Sequence, residues 1–196
     1  MNFPLTLRFK LLALASQIYV QDAAGRTICY VKQKMLRLRE KVEVYSDDSR
    51  SQLMVTIEAD RIIDWSARYS FKDPAGNVVG ALGRRGMRSL WRAHYEVFAP
   101  GSSEPVFTIR EENPFAKLLD GFLTEIPIVG LFTGYMLHPK FVAARLDGSP
   151  VARLTKQAAF LEGRFVLEKL ADLNEGEESA LVLSFLMLNL LERRRG

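Results

Sequence analysis

The chain has 196 residues, 48% of them hydrophobic and 26% charged, a balance that fits one globular domain and excludes a disordered chain. Its 27 Lys and Arg exceed its 23 Asp and Glu by a net +4, a milder excess than an obligate nucleic-acid binder carries. A single cysteine, Cys29, excludes an intramolecular disulfide framework and a multi-cysteine zinc site, and two histidines leave little for metal chemistry.

The first residues, Met1 to Lys10 and then Leu11–Ala15, imitate a signal peptide. The apolar run is shorter than the ~7–15 residues such a core needs, and Tyr19 and Val20 continue in strand fashion, so no cleavage is expected. Most of the chain then alternates at the strand period of two. Runs at Leu5–Phe9, Ser16–Gln21, Thr27–Lys34, Val42–Tyr45, Leu53–Glu58, Ala67–Lys72, Val78–Leu82, His94–Phe98, Val106–Arg110, Phe141–Leu146, Val151–Lys156 and Gly163–Glu168 predict about twelve strands. Within them Leu53, Val55 and Ile57 share one face, and Phe165 and Leu167 oppose Arg164 and Glu168.

Asp22-Ala-Ala-Gly25, Asp73-Pro-Ala-Gly76, Pro100-Gly101 and Asp147-Gly148 each separate two such runs. Gly supplies positive φ and Asp can accept from the backbone two residues on, so each predicts a hairpin. Tyr19-Val20-Gln21-Asp22-x-x-Gly25 has a counterpart in Ser70-Phe71-Lys72-Asp73-x-x-Gly76, a hairpin meander too irregular for a solenoid. No linker divides the chain, so residues 1–196 form a single domain on this reading.

Two segments break the strand pattern. Asn113–Gly121 has a cap residue, Pro at the first helical position and Gly past the end, which predicts a short helix. Near the C-terminus, Asn174 caps a second helix, with Glu177 at capping-box spacing and acidic residues in the first turn. Its run Ala180–Leu191 is apolar in every direction, and such a helix must be enclosed. A closed antiparallel sheet encloses it and also removes exposed strand edges. Burying its nine large apolar side chains at ~1.5–3 kcal/mol each contributes roughly 13–27 kcal/mol before entropy. The expected fold is therefore mainly β: an antiparallel closed barrel of about twelve strands around a buried hydrophobic C-terminal helix. Ala180–Leu191 and the apolar stretch Ile126–Leu137 would each span ~18 Å as helices against a ~30 Å hydrocarbon core, so neither crosses a bilayer alone.

The order of hairpins with Tyr19-Val20 before Asp22-x-x-Gly25, the run Tyr30-Val31-Lys32-Gln33-Lys34, Asp73-x-x-Gly76 and the closing hydrophobic helix resemble the LURP-one-related proteins. These belong to the tubby C-terminal-like superfamily, which includes phospholipid scramblases. The resemblance runs over roughly Leu5–Leu191 as a pattern of many elements. It implies a twelve-stranded barrel threaded by the C-terminal helix. Functions in the superfamily differ: tubby proteins bind phosphoinositides, scramblases act at membranes, and many LURP-one-related members have no known activity. No phosphoinositide motif of the tubby proteins is matched here.

Among candidate sites, Gly83–Arg92 is the most basic. If helical, it stacks Arg84, Arg88 and Arg92 on one face, with Arg85 and Trp91 near the margins. Guanidinium groups pair bidentately with phosphate and Trp favours membrane interfaces; the alternative is a solvated connector. Lys32, Lys34, Arg37, Arg39 and Lys41 alternate as if along one strand, as an anion-binding wall or an ordinary outer face. Ile126–Leu137 is unusually apolar for a connection, and Ile128, Leu131 and Phe132 are its candidate membrane or partner contacts if it does not fold back as core.

Other motifs carry less. Gly80-x-x-Gly83-x-x-Gly86 is not the dinucleotide fingerprint. Asp172-x-Asn174-x-Gly176-x-Glu178 resembles half a calcium loop, but its glycine is one position early and Leu183 stands where a bidentate Glu is needed. Helix capping explains those residues. Cys29 alternates within a strand as a small buried hydrophobe. His94 and His138 have no ligand spacing, and Glu111-Glu112 reads as a charge pair flanking a helix. No catalytic residue, cofactor or metal is expected. The expectation is a non-catalytic, cytoplasmic binding module, peripheral at the membrane, for anionic phospholipid or a membrane surface, with nucleic acid ranked below. The alternatives are a scramblase-like membrane protein with its terminal helix in lipid, and a small-ligand carrier or enzyme using the barrel mouth.

Overall fold

The computed structural model describes residues 1–10, 15–34, 41–59, 68–84, 94–112, 140–159 and 162–193. Among the described residues twelve strands precede one helix: β1 (Leu5–Lys10), β2 (Ala15–Gln21), β3 (Thr27–Lys34), β4 (Lys41–Tyr45), β5 (Leu53–Ala59), β6 (Arg68–Lys72), β7 (Val78–Arg84), β8 (His94–Phe98), β9 (Phe107–Glu111), β10 (Lys140–Ala144), β11 (Pro150–Gln157), β12 (Glu162–Lys169) and α1 (Glu175–Arg193). Each strand pairs antiparallel with its neighbours in sequence. β1 closes the barrel on β12, with Leu5 opposite Leu167 and Lys10 opposite Glu162. No strand edge is left open, which is how a barrel solves the edge problem.

The period-two pattern decides what points inward. Leu5, Leu7 and Phe9 of β1, Ile18 and Val20 of β2, Val42 and Val44 of β4, and Phe107 and Ile109 of β9 are buried. Their alternates Arg8, Tyr19, Glu43 and Arg110 lie on the outer face. Into this interior runs α1, with every residue from Ala180 to Leu190 buried, including Phe185, Leu186, Met187 and Leu188. The expected plug inside a β-cylinder is what the molecule contains.

Three hairpins share one geometry. In Asp22–Arg26, Asp73–Asn77 and Arg145–Ser149 the first residue's N–H donates to the last residue's carbonyl at 2.9, 2.9 and 2.8 Å. The fourth residue is glycine at φ 77°, 88° and 90°, a region that side chains other than glycine enter at a cost. Each is followed by a register shift, between Val20/Gln21, Phe71/Lys72 and Ala143/Ala144. Most expected strand bounds are off by one or two residues, and the third turn accounts for the overshoot at β10, which stops at Ala144 because Arg145 already opens the turn.

All these turns lie at one end of the barrel, here the turn end, with β2–β3, β4–β5, β6–β7, β8–β9, β10–β11 and β12–α1 connected there. α1 starts at the same end. Asn174 and Glu177 form a reciprocal capping box, Glu177 N–H donating to Asn174 Oδ1 at 2.9 Å and Asn174 N–H to Glu177 Oε2 at 3.0 Å. Lys169 and the Met1 ammonium hold Glu178 at 2.9 and 3.0 Å, and Arg145 reaches Glu177 at 3.3 Å. Asn174 thus caps the helix as predicted and Glu178 ties its first turn to Lys169 and the N-terminus, whereas Asp172 contributes only its carbonyl, which accepts from Arg145 at 3.3 Å. The 19 residues of α1 rise ~28 Å, enough to carry its C-terminal turn to the opposite end, the rim.

Candidate functional site

Two of the sequence candidates, Lys34 and Arg84, end their strands at the rim. Pairing places Lys10, Lys34, Lys41, Arg84, His94, Glu111, Lys140, Gln157 and Glu162 at that end of their strands. Arg84, the last residue of β7, pairs with Tyr95 of β8; His94 pairs with Arg110 of β9, and Glu111 with Phe141 of β10. The chain between β7 and β8 holds Arg85, Arg88, Trp91 and Arg92, and that between β9 and β10 holds Ile128, Leu131 and Phe132. Those seven residues lie outside the described residues, as do the expected helix Asn113–Gly121, His138, and Arg37 and Arg39. Their strand anchors, however, are adjacent. β8 and β9 stand ~4.8 Å apart, so the two connections that contain the basic and the apolar residues are anchored next to each other at that rim.

Two expectations about these candidates need correction. Arg84 belongs to β7, not to a helix shared with Arg88 and Arg92, because residues from Val78 onward continue the ladder through Gly83 opposite Glu96. Its strand parity, set by Leu82 and Gly80, turns it toward the barrel mouth rather than the outer wall. Lys32 and Lys34 belong to β3, whereas Lys41 opens β4, so the five cations do not lie along one strand. Lys32 is exposed on the outer face, since Val31 and Cys29 take the inward positions.

The two ends differ in charge. The turn-end segments 22–26, 46–52, 73–77, 99–106, 145–149 and 170–178 hold ten carboxylates against three Arg. The side-chain hydrogen bonds of Arg26, Asn77 and Ser149 hold Asp22, Asp73 and Asp147 below the usual carboxylate range, so these groups stay ionised. The rest of the chain carries 24 Lys and Arg against 13 Asp and Glu. Composition alone hides this, because the acidic turn segments and the basic remainder are summed into one net charge of +4.

Other candidates find structural roles. Cys29 is buried opposite Val20 and its thiol is pushed up to about 12 by burial, which makes it inert. Glu112 pairs with Arg153 at 3.5 Å, and Glu111 is buried at the end of β9. Among the described residues no three His, Cys, Asp or Glu side chains group closely enough to hold a metal ion.

With the closed barrel and its threaded helix in view, one comparison decides the family. Residues 27–187, from β3 into α1, match the family described as LURP-one-related. The chain belongs to the LURP-one-related family. No curated protein and no solved structure matches it. The LURP-one-related match omits β1 and β2, yet both complete the closure, β1 pairing with β12 on one side and β2 on the other.

Proposed function

We propose that this LURP-one-related barrel is a non-catalytic binding module that docks on anionic phospholipid surfaces, working in the cytoplasm at the membrane periphery. The observation that carries the reading is the shared rim: Arg84 ends β7 there, and the connections whose sequences contain Arg85–Arg92 and Ile126–Leu137 are anchored there on the neighbouring strands β8 and β9. Near an anionic leaflet each Lys or Arg contributes about 1 kcal/mol, so Arg84, Arg85, Arg88 and Arg92 together are worth roughly three orders of magnitude in affinity. Ile128, Leu131 and Phe132 would supply an apolar foothold, with Trp91 at the interface.

The packing supports this reading over the scramblase-like alternative. The apolar side chains of α1 are taken up by the barrel interior, and among the described residues no helix is long and apolar enough to cross a membrane. An insertion mechanism would require pulling that helix out of its core.

Co-sedimentation with vesicles tests the proposal. Phosphatidylcholine vesicles containing phosphatidylserine should retain the protein at low salt and release it as salt rises, and neutral vesicles should not retain it. Replacing Arg84, Arg88 and Arg92 by Glu should abolish retention. Equal binding to neutral and anionic vesicles, or none to either, overturns the proposal.

A further inference from the structure

We infer that the barrel meets its anionic surface end-on, its axis along the surface normal, with the rim as the contact face and the turn end held away. This rests on the docking reading above and adds the geometry, which the charge distribution selects.

Three faces compete: the outer wall, the turn end and the rim. On the wall, Lys32 apart, the described cations are mostly matched by carboxylates. Lys72 holds Glu58 at 2.7 Å, Arg8 and Arg164 share Glu162 at 2.9 and 3.0 Å where the wall meets the rim, and Lys41, at the rim end of β4, holds Glu43 at 3.4 Å. Such pairs cancel at a distance. The turn end, with ten carboxylates against three Arg, Lys169 and the Met1 ammonium, is repelled by an anionic surface. What remains is the rim, where Arg84, Arg110, Lys140 and Lys156 form no ion pair among the described residues. Lys10 there stacks on the Tyr19 ring at 5.1 Å and has no carboxylate partner among the described residues. Among the described residues the rim carboxylates do not undo this excess: Glu162 is held by two Arg, Glu112 by Arg153, and Glu111 is buried.

The separation of the ends lets them act independently. Strands of five to eight residues at ~3.3 Å each set the ends some 15–25 Å apart, whereas salt screens charge over ~8 Å at physiological ionic strength. A surface at the rim therefore feels the rim's cations with little of the opposing field. One at the wall would feel paired charges. The opposite signs at the two ends also apply a torque that turns the rim toward a negative surface before contact.

Single-cysteine labelling tests the orientation. Cys29 is buried with its thiol protonated, so an added surface cysteine is labelled selectively. An environment-sensitive fluorophore is placed at Gln157→Cys on the rim, Val166→Cys in mid-wall, or Ala75→Cys in a turn, none of which removes a charge. With phosphatidylcholine vesicles containing phosphatidylserine, the rim label should shift to the blue and lose quenching by iodide severalfold, while the wall and turn labels stay unchanged. A response at the wall or turn label, or at all three, overturns end-on docking while leaving surface binding intact. No retention of any labelled protein on these vesicles overturns the docking reading itself. A rim response to duplex DNA with none to vesicles reassigns the rim to nucleic acid and overturns both.

Discussion

Gly80 and Ala180 mark a contact with no room for one more methyl group: a Cβ built on Gly80 would lie 3.2 Å from the Ala180 Cβ. It would also lie 3.1 Å from the Phe98 carbonyl oxygen and 3.2 Å from Phe71 Cδ2. Gly80 follows the register shift opposite Phe71 and has φ 148°, so the backbone also demands glycine. Here the wall admits the helix.

Gly80→Ala should therefore destabilise the fold by about 2–3 kcal/mol, from backbone strain and from the crowding together. Urea unfolding measures it. A loss below about 0.5 kcal/mol would mean that the helix does not press on β7 as described.

Glu178 supplies a pH-dependent part of the stability. Burial pushes its carboxyl up, but the hydrogen bonds and charges of Lys169 and the Met1 ammonium outweigh this and hold it below the ordinary glutamate value. A lowered folded-state pKa stabilises above the unfolded value near ~4.3 and is lost as pH falls through the folded one. Glu178→Gln should cost about 1–2 kcal/mol at neutral pH, because both partners lose their anion in a partly buried site. The gap from the parent should close as pH drops below ~4. A gap that is constant from neutral to acid pH would refute the assignment.

How much of this was legible follows from which forces are local. The strands were readable because inward and outward residues alternate within each, as Leu5, Leu7 and Phe9 do against Thr6 and Arg8. The capping box was readable because Asn174 and Glu177 are three residues apart. Burial of Ala180–Leu190 followed from the absence of any polar face. Three things were not readable. Arg84 looked helical because arginine spacing cannot tell a strand end from a helix start. Lys41 looked continuous with Lys34 because no Gly or Pro separates them. The narrow fit of Gly80 against Ala180, and the Lys169–Glu178 pair, are set by how distant segments meet. Charge segregation was hidden for a related reason, since ends are defined only once strand direction is known.

Arg50 offers a change that should stabilise. In the loop 46–52 its N–H donates to the Asp47 carbonyl at 3.2 Å, as Gly76 N–H does to Asp73 at 2.9 Å, and its φ is 56°. A side chain there costs ~1–2 kcal/mol, against ~0.5–1 kcal/mol of unfolded-chain entropy restored by glycine. Arg50→Gly should gain about 0.5 kcal/mol. Gly76→Ala should lose about 1 kcal/mol although its Cβ would meet nothing within 4 Å, since only the backbone resists. Opposite signs in thermal unfolding are expected. Equal signs would remove the equivalence of the two turns.

Ser184 and Asn189 test the polar accounting inside the barrel. Both are buried on α1, but Asn189 Nδ2 donates to the Phe185 carbonyl at 2.8 Å while Ser184 Oγ, fully enclosed, has no partner. An unsatisfied buried hydroxyl costs about 1–3 kcal/mol, and alanine is also the better helix former by a few tenths. Ser184→Ala should therefore raise stability by about 1 kcal/mol, shifting the urea midpoint with an unchanged slope. Asn189→Ala should lower it by about as much, because it removes a satisfied hydrogen bond and leaves a cavity. Should Ser184→Ala prove destabilising, the hydroxyl must be bonded to an enclosed water, and the core around the middle of α1 must be wetter than its leucines suggest.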